Sequence, residues 1–388
     1  MLGSLLIASC YPRLSYNRPS MSGALPLSVI SGEIKRLASE VGFDLAGVAG
    51  VGETPEHQFF PQWLAEGYAG GMSYLEKRNE AGELKRASLA NAVPWARSVV
   101  VCAMNYNSDQ PYSTHAGATS QGWISRYAWS QRDYHNVVLE KLRSLEARLL
   151  ETCEQQAIPA PRTWCYVDTG PVIERIFAKY AGIGWIGKNT CILNEELGSW
   201  LFLGVILTSL ELAPDFPAPD RCGSCTRCLD ACPTNAVPAP YQLDATKCIS
   251  YLTIEKRGSI PEELRAGIGR EVFGCDICQD VCPWNREAPV SSSAEFAARS
   301  ELVNPELEWL ARMSVDQFRK LFRGSPVKRA RFNGLRRNAA IAMGNSGDDR
   351  FAAVLEELSR DEDAMVAEHA RWALQRLGKK EPSQVEGF

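Results

Sequence analysis

The chain has 388 residues and a formal net charge of −4, with 45% hydrophobic and 23% charged residues. This apolar content is sufficient for a buried core, and the length predicts two or three domains. No apolar stretch approaches the roughly 20 residues that a membrane-spanning helix needs, so the composition argues against a membrane protein.

The first 20 residues start with a short apolar stretch but lack the basic segment that a secretory signal carries before it. We interpret residues 1–20 as a disordered extension or an upstream start. Because no export signal is recognisable, a secreted protein held by disulfides is not expected, and the predicted location is the cytoplasm.

From residue 28 onward, helix and strand patterns alternate. Ile30, Ile34 and Leu37 recur at helical spacing, and residues 98–103 are a β-branched, apolar run typical of a buried central strand. The other predicted elements are strands at 43–49, 163–167 and 200–208 and helices at 137–150 and 172–181. This alternation predicts an α/β or α+β domain over residues 21–215.

Three prolines in residues 214–220 mark a linker into a cysteine-rich segment, 216–290. The remaining segment, 291–388, is predicted to be helical. Small and apolar residues at 338–343 recur 31 residues later at 369–374, which suggests stacked helical hairpins of the HEAT type. The predicted architecture is therefore an α/β (α+β) N-terminal domain, a ferredoxin-like two-cluster domain and C-terminal α-helical HEAT-like repeats.

Eight of the 13 cysteines lie in two compact runs and at one position between them. The first run has the spacing C-x2-C-x2-C-x3-C-P, in which three cysteines bind one [4Fe–4S] cluster and the fourth binds a second cluster. By this crossover rule, one cluster would be bound by Cys222, Cys225, Cys228 and Cys282, and the other by Cys232, Cys248, Cys275 and Cys278. Structural zinc is the main alternative, but it uses separated cysteine pairs.

Asp168 follows the predicted strand 163–167 and precedes a T-G-P turn, in which Pro171 suits the first position of the next helix. A carboxylate at a strand end is a common location for a catalytic group, but Asp is also a preferred helix N-cap. Position alone leaves both interpretations open. A G-x-G-x-x-G match at 182–187 is a weak dinucleotide signal, because it follows a helix pattern rather than a strand.

Residues 319–337 carry eight basic residues and no acidic one, although the whole chain is negative. The basic residues are Arg319, Lys320, Arg323, Lys328, Arg329, Arg331, Arg336 and Arg337. Such a cluster can bind a phosphate backbone through counterion release, or it can be an ordinary solvated helix face. Charge alone does not decide between an RNA or DNA partner and a solvated surface.

Four segments together resemble epoxyqueuosine reductases: Y-V-D-T-G-P at 166–171, A-G-I-G-W-I-G-K-N at 181–189, S-R-Y-A with R-D-Y-H within 125–135, and C-G-S-C-T-R-C at 222–228. The resemblance extends from about residue 28 to residue 378. It implies a cobalamin-dependent iron–sulfur enzyme that reduces epoxyqueuosine to queuosine at the wobble position of tRNA, the last step of queuosine biosynthesis. The basic stretch would then hold tRNA, and an external flavodoxin- or ferredoxin-type donor would supply electrons to a monomeric enzyme.

Within this resemblance, Asp168 matches the family's proton donor, which displaces the helix-cap interpretation. The two clusters would pass electrons to cobalt while Asp168 protonates the epoxide oxygen, and burial is expected to raise the pKa of Asp168 so that it holds a proton. The positions that match the family's cobalamin contacts are Arg86, Ser125, Asp168, Ile192, Glu195, Leu203, Ser250, Cys275 and Asp276.

The histidines bear on how cobalt is ligated. Asp133 and His135 begin the D-x-H-x-x-G motif of proteins in which a histidine ligates cobalamin, but Val138 occupies the glycine position. None of the four histidines completes this motif, so we expect no protein histidine on cobalt.

Three other classes of protein fit the sequence less well. A reductive dehalogenase typically carries a twin-arginine signal, which is not seen here. A ferredoxin-type carrier would not need the roughly 200 residues that precede the cysteines. A tRNA-binding protein without enzymatic activity would need neither Asp168 nor the clusters.

Overall fold

The computed structural model describes residues 27–115 and 117–378, and the predicted extension 1–20 lies outside them. The β-strands are β1 Leu45–Gly50, β2 Ser98–Asn105, β3 Trp123–Ile124, β4 Thr163–Tyr166, β5 Trp185–Ile186, β6 Ile192–Leu193, β7 Leu201–Thr208 and β8 Glu271–Phe273. The α-helices are α1 Leu27–Glu40, α2 Pro55–Ala65, α3 Leu89–Ala92, α4 Tyr134–Gln155, α5 Glu174–Tyr180, α6 Arg227–Asp230, α7 Ile249–Ile254, α8 Glu262–Arg265, α9 Ile277–Asp280, α10 Leu307–Arg312, α11 Val315–Leu321, α12 Phe332–Ser346, α13 Ala352–Leu358 and α14 Ala364–Gly378.

Four strands form one antiparallel sheet in the order β1-β2-β7-β4. Strand β2 pairs on both sides, with Val100 opposite Val48 on one neighbour and Ile206 on the other. Every residue of β2 is buried, as predicted for a central strand, because helices cover both faces of the sheet. The antiparallel order makes the N-terminal fold α+β, one of the two alternatives that the sequence left open.

Helices α1 and α4 cover one face of this sheet, and α3 and α5 cover the other. On α4, the predicted apolar stripe that includes Leu142, Leu145 and Leu149 is buried against the strands. Helix α5 begins at Glu174, with Ile173 at its N-cap position. The predicted helix start at 172 was therefore too early, and Asp168 lies too far before the helix to cap it.

Interior packing crosses the predicted domain boundaries at 215 and 290. Strand β3 pairs in parallel with β8 from the cysteine-rich segment. Trp123 and Trp129 belong to the same hydrophobic core as Leu310 and Phe322 from the C-terminal helices. The boundaries stay predictions, but the contacts show that the three segments are held together by shared packing.

The C-terminal helices confirm the predicted close packing of small residues. Ala340 on α12 and Ala373 on α14 are fully buried. A Cβ atom on Gly344 would lie 2.7 Å from the Ala373 Cα, so the two helices approach closely because this position has no side chain. The classification of these hairpins as HEAT-type repeats stays a prediction.

None of the helices within residues 27–115 and 117–378 is both long and apolar enough to cross a bilayer.

Two arginines of the predicted RNA-binding stretch have structural roles instead. Arg337 is 1% exposed and donates hydrogen bonds to the carbonyl oxygens of Leu252 (2.7 Å) and Gly258 (2.7 Å). Arg336 pairs with Asp361 at 2.5 Å. The expectation that the Arg337 side chain contacts RNA was wrong, because the pattern of charges does not reveal which basic residues turn inward. For Arg336, which is partly accessible, RNA contact stays a prediction.

Replacement of Arg337 with methionine is expected to lower the free energy of unfolding by about 3 kcal/mol, since it leaves several buried carbonyl oxygens without a donor. The shift of the thermal denaturation midpoint, followed by circular dichroism, would measure this effect. The control is the same replacement at Arg360, which is exposed. The free energy of unfolding of this control should differ from that of the parent by no more than about 0.5 kcal/mol. An unchanged midpoint for the Arg337 variant would contradict a structural role.

Candidate active site and cluster region

A large cavity opens between the sheet, the cysteine-rich segment and the C-terminal helices. Its volume is about 1,880 Å³, and its lining includes Tyr127, Asp168, Ser250 and Arg329. Pockets for drug-sized ligands are typically about 300–1,000 Å³, so this cavity can take a considerably larger group. Helix α2 contributes an aromatic wall through Phe59, Phe60 and Trp63.

Asp168 enters this cavity on a constrained turn after β4. Its backbone is left-handed, with φ of 56°, which is uncommon for residues other than glycine. Gly170 is needed two residues later, because a Cβ there would come within 2.3 Å of the Tyr166 ring. Arg86 fixes the turn by donating to the carbonyl oxygen of Gly170 at 2.7 Å. The strain indicates that this loop is shaped to present the Asp168 carboxylate.

Two neighbours on α4 contact the Asp168 carboxylate. The Tyr134 hydroxyl donates to Oδ2 at 3.0 Å, and the His135 Nε2 lies 3.7 Å from the same oxygen, which is an ion-pair rather than a hydrogen-bond distance. The other ring nitrogen, Nδ1, lies 2.6 Å from Asp133 Oδ1. Asp133, His135 and Asp168 therefore form a carboxylate–imidazole–carboxylate array at the cavity wall.

This array determines where the proton resides. The contact with His135 lowers the pKa of Asp168, and this effect outweighs burial, which acts in the opposite direction. Burial disfavours the charged form of His135, but its interactions with Asp133 and Asp168 prevail and raise the pKa of His135 to about 9. The prediction that desolvation raises the pKa of Asp168 was wrong: 67% of its side-chain surface is accessible, and a cation lies beside it. At neutral pH the proton lies on His135.

Glu174, at the start of α5, is a second carboxyl group on the cavity wall that the sequence did not single out. Its Oε1 atom is buried without a hydrogen-bond partner among the described residues. Burial, followed by the charge of Asp168, raises the pKa of Glu174 to about 7. This group can therefore also carry a proton near neutral pH.

The crossover assignment of the eight cysteines stays a prediction, and the charges that act on the thiols are consistent with it. Burial, followed by the charges of Cys222 and Cys225, raises the pKa of Cys228 to about 11. Burial, followed by the charges of Cys228 and Cys222, raises the pKa of Cys282 to about 11 as well. We call these four residues the outer quartet.

The other four cysteines form the inner quartet: Cys232, Cys248, Cys275 and Cys278. Burial and the neighbouring Cys232 raise the pKa of Cys248, and Cys248 in turn contributes to the raised pKa values of Cys275 and Cys278. Cys248 also lines the large cavity. The predicted assignment of eight thiols to two sets of four would meet the ligand requirement of two [4Fe–4S] clusters.

Cys191 is close to cysteines of both quartets. Its thiol contacts Cys278 of the inner quartet, and its charge acts on Cys228 and Cys282 of the outer quartet. No pattern in the sequence connects Cys191 with the cluster ligands, because it precedes the first cysteine run by about 30 residues.

The structure separates the predicted cobalamin contacts into two groups. Arg86, Asp168, Leu203 and Ser250 line the large cavity. The remaining positions do not belong to its lining: Ser125, Ile192, Glu195, Cys275 and Asp276. Their assignment as contacts stays a prediction.

The side chains of this second group are engaged with other parts of the protein. Asp276 is 1% exposed and accepts hydrogen bonds from Ser125 Oγ, the Trp123 indole and the Arg126 N–H. Glu195 forms an ion pair with Arg221. These residues would therefore contact a large cofactor through backbone atoms, or would influence it only by positioning the residues that line the cavity.

The expectation that no protein histidine ligates cobalt stays a prediction, and the four histidines have the following environments. His57 is buried with Nδ1 beside Thr54 Oγ1, and His369 accepts from the Ile260 N–H. His115 is exposed and does not line the large cavity. The remaining residue, His135, lines the cavity, but its two ring nitrogens face Asp133 and Asp168.

Comparison with known proteins identifies the family. A model described as "Epoxyqueuosine reductase QueG, DUF1730" matches residues 86–169, and a 4Fe-4S double cluster binding domain matches residues 221–285. The epoxyqueuosine reductase of Pseudomonas aeruginosa is 41% identical over 354 residues, covering 89% of this chain and 94% of the relative. That of Xanthomonas campestris pv. campestris is 39% identical over 351 residues, covering 89% and 95%. The chain belongs to the epoxyqueuosine reductase family.

The fold agrees with this assignment. A crystal structure of epoxyqueuosine reductase with a tRNA-Tyr epoxyqueuosine-modified stem loop has a TM-score of 0.80, with 31% identity and 91% of each chain covered. The expected resemblance is thus confirmed, and so is the prediction of two [4Fe–4S] clusters. Enzymes of the epoxyqueuosine reductase family use cobalamin together with these clusters.

In the sequence, His135 stands out only as part of the R-D-Y-H segment and of an incomplete cobalt-binding motif, without a catalytic role. Its contact with Asp168 joins residues 33 positions apart, so no local pattern could reveal it. One signal was available in retrospect. Asp133 is the N-cap of α4 and accepts from the His135 N–H at 3.0 Å, so a D-x-H run at a helix start places the imidazole beside the capping carboxylate.

Proposed function

We propose that this chain reduces the epoxide of epoxyqueuosine in tRNA to the alkene of queuosine. The reaction consumes two electrons and two protons and releases water. One observation carries the proposal: the Asp168–His135 pair and Cys248 of the inner quartet line the same large cavity. A proton source and an electron source therefore meet in one space, as this reduction requires.

The cavity also suits cobalamin, because it is large, has the aromatic wall of α2 and carries polar groups at its rim. Arg86, Leu203 and Ser250 would contact the cofactor directly. Ser125, Ile192, Glu195, Cys275 and Asp276 would support it from behind the wall or through backbone atoms. Bound cobalamin supplies a low-potential cobalt centre for electron delivery to the epoxide.

Asp168 delivers the proton to the epoxide oxygen, and His135 replaces it. His135 holds a proton at neutral pH, and Asp168 lines the cavity with 67% of its side-chain surface accessible. Glu174 holds a second proton near neutral pH, so the two protons of the reaction have two adjacent stores. Tyr134 positions Asp168 by hydrogen bonding to the same oxygen that faces His135.

The RNA is held at the rim of the cavity rather than along the whole basic stretch. Lys77, Lys85 and Lys328 line the rim, and none has a side-chain ion pair or hydrogen bond within the described part of the chain. Phosphates around an extruded wobble base would meet these free ammonium groups. Arg329, by contrast, pairs with Glu255 at 2.5 Å.

Replacement of Lys85 and Lys328 with alanine is expected to weaken binding of an epoxyqueuosine-containing stem loop about tenfold and to reduce the slope of log Kd against log salt by about 1 to 2. Fluorescence anisotropy over a salt series would measure both quantities. The control replaces Arg143 and Arg360, which are exposed and do not line the cavity, with alanine. Equal losses in the two variants would remove the rim from the binding surface.

Turnover by the reconstituted enzyme tests the proposed function directly. Protein with both clusters would be incubated anaerobically with epoxyqueuosine-containing tRNA and a chemical reductant, with and without cobalamin, and its nucleosides would be analysed by mass spectrometry. Cobalamin-dependent loss of one oxygen atom is the expected result. The proposed function would be contradicted if the oxygen were lost without cobalamin. It would also be contradicted if enzyme loaded with cobalamin and both clusters removed no oxygen.

A further inference from the structure

A second cavity lies beside the outer quartet. Its volume is about 540 Å³, and Cys282 is part of its lining. The large cavity instead contains Cys248 of the inner quartet, and the two linings share no residue. Each quartet therefore contributes a cysteine to a different cavity. The inner quartet adjoins the large cavity that also contains Asp168, and the outer quartet adjoins a separate cleft.

This second cavity is a cleft between the two short helices that follow the cysteine pairs. Helix α6 contributes Arg227 and Asp230, and α9 contributes Asp280. These helices pack against each other, so the cleft is built from the two halves of the ferredoxin-like segment. Tyr112 closes one side, with its hydroxyl bonded to the carbonyl oxygen of Asn285 at 2.9 Å.

The cleft presents two exposed guanidinium groups and one exposed carboxylate, that of Asp230. Arg227 and Arg286 are exposed, and neither has a side-chain hydrogen bond or ion pair among the described residues. Of the two carboxylates of the cleft, Asp230 is exposed and accepts from the Thr226 hydroxyl at 2.8 Å, whereas Asp280 is buried and accepts from Ser113 through Oδ2 only. The exposed charges of the cleft are therefore positive by two to one. Two free guanidinium groups next to a cluster ligand have no structural explanation within the chain.

We propose that the Arg227–Arg286 cleft is the docking site of an acidic one-electron carrier protein, which reduces the cluster of the outer quartet. This inference rests on the proposed function only in requiring two bound clusters. Each encounter transfers one electron from the reduced carrier to the outer cluster, so two encounters supply the two electrons of one turnover. Transient redox partners use small, charged interfaces, in which complementary charge mainly raises the association rate.

Reduction kinetics test this docking site without involving tRNA. Reduced flavodoxin, an acidic one-electron carrier, would be mixed with the oxidised two-cluster protein in a stopped-flow instrument, and cluster bleaching would be followed at several salt concentrations. We expect Arg227→Glu/Arg286→Glu to lower the second-order rate constant at least tenfold at low salt and to remove its decrease with salt. Calorimetric titration with oxidised flavodoxin should show a matching loss of affinity.

Two comparisons make the result specific. Reduced methyl viologen, a small cation that needs no protein interface, should reduce the variant no more slowly than the parent, which would show that its clusters are intact. The charge-matched control Arg143→Glu/Arg360→Glu should react with flavodoxin at the parent rate.

The docking site would be excluded by a parent reaction that is insensitive to salt, or by equal flavodoxin rates in the Arg227/Arg286 and control variants. If the glutamate variant loses its clusters, Arg227→Gln/Arg286→Gln replaces it, and a parent-like flavodoxin rate in that variant would equally refute the site. Because methyl viologen can drive turnover independently, failure of this docking site would leave the proposed reaction standing.

Discussion

Replacement of Asp168 with asparagine is expected to lower the single-turnover rate on epoxyqueuosine-containing tRNA by about 10²–10⁴-fold, the usual contribution of a positioned acid. Asparagine tolerates the left-handed backbone at this position and can still accept the Tyr134 hydrogen bond. It cannot donate a carboxylic proton. Unchanged affinity for tRNA and unchanged cluster content would locate the defect in the chemical step. Retention of more than about a tenth of the rate would exclude Asp168 as the principal proton donor.

The pH dependence distinguishes a proton on His135 from one held by Asp168 alone. His135 has a raised pKa of about 9, so the array carries its proton below that pH and loses it as the pH rises through 9. The parent rate should therefore fall above about pH 9. In His135→Gln, the main cause of the lowered pKa of Asp168 is removed, so that pKa rises.

The alkaline decrease in His135→Gln should consequently begin at a much lower pH, because Asp168 itself must then hold the proton. His115→Gln is the control, since His115 is exposed and lies outside the large cavity. Superimposable pH profiles for the parent and His135→Gln would rule out the imidazolium as the proton store.

The sequence predicted the parts of this protein whose determinants are local. The eight-residue run of β2 and the apolar stripe of α4 each indicate burial within one segment, and both predictions are confirmed. The presence of two [4Fe–4S] clusters was also predictable from the cysteine spacing, whereas the assignment of each cysteine to one cluster stays a prediction. The grouping of Cys282 with Cys228 follows from that spacing although 54 residues separate them.

The failed or missing predictions depend on tertiary contacts. The pKa of Asp168 is set mainly by His135 from another element, so the expected sign of its shift was wrong. Arg337 lies in a basic run but is buried beneath carbonyl oxygens from residues 252–258, which charge patterning cannot show. Lys77 and Arg286 can be recognised as unpaired cations only in the structure, because the sequence does not show which nearby charged side chains form ion pairs.

Replacement of cysteines in pairs should show which residues share a cluster. We expect Cys228→Ala to reduce bound iron from about eight to about four atoms per chain, because it removes a ligand of the outer quartet. Adding Cys282→Ala should cause no further loss, since both residues serve the same cluster. Adding Cys232→Ala instead should remove nearly all iron, because Cys232 belongs to the inner quartet. This non-additivity is a double-mutant test of shared ligation.

Iron analysis and electron paramagnetic resonance of the reduced proteins would measure these losses, with Cys153→Ala as the control, since Cys153 is buried on α4 away from both quartets. Equal iron contents in the two double variants would overturn the crossover assignment.

The functional consequence follows from the cavities. A chain that retains only the inner cluster keeps Cys248 at the large cavity but loses the cluster beside Arg227 and Arg286. Flavodoxin should then fail to drive turnover, because its electrons enter at the outer cluster and have no other route to the cavity.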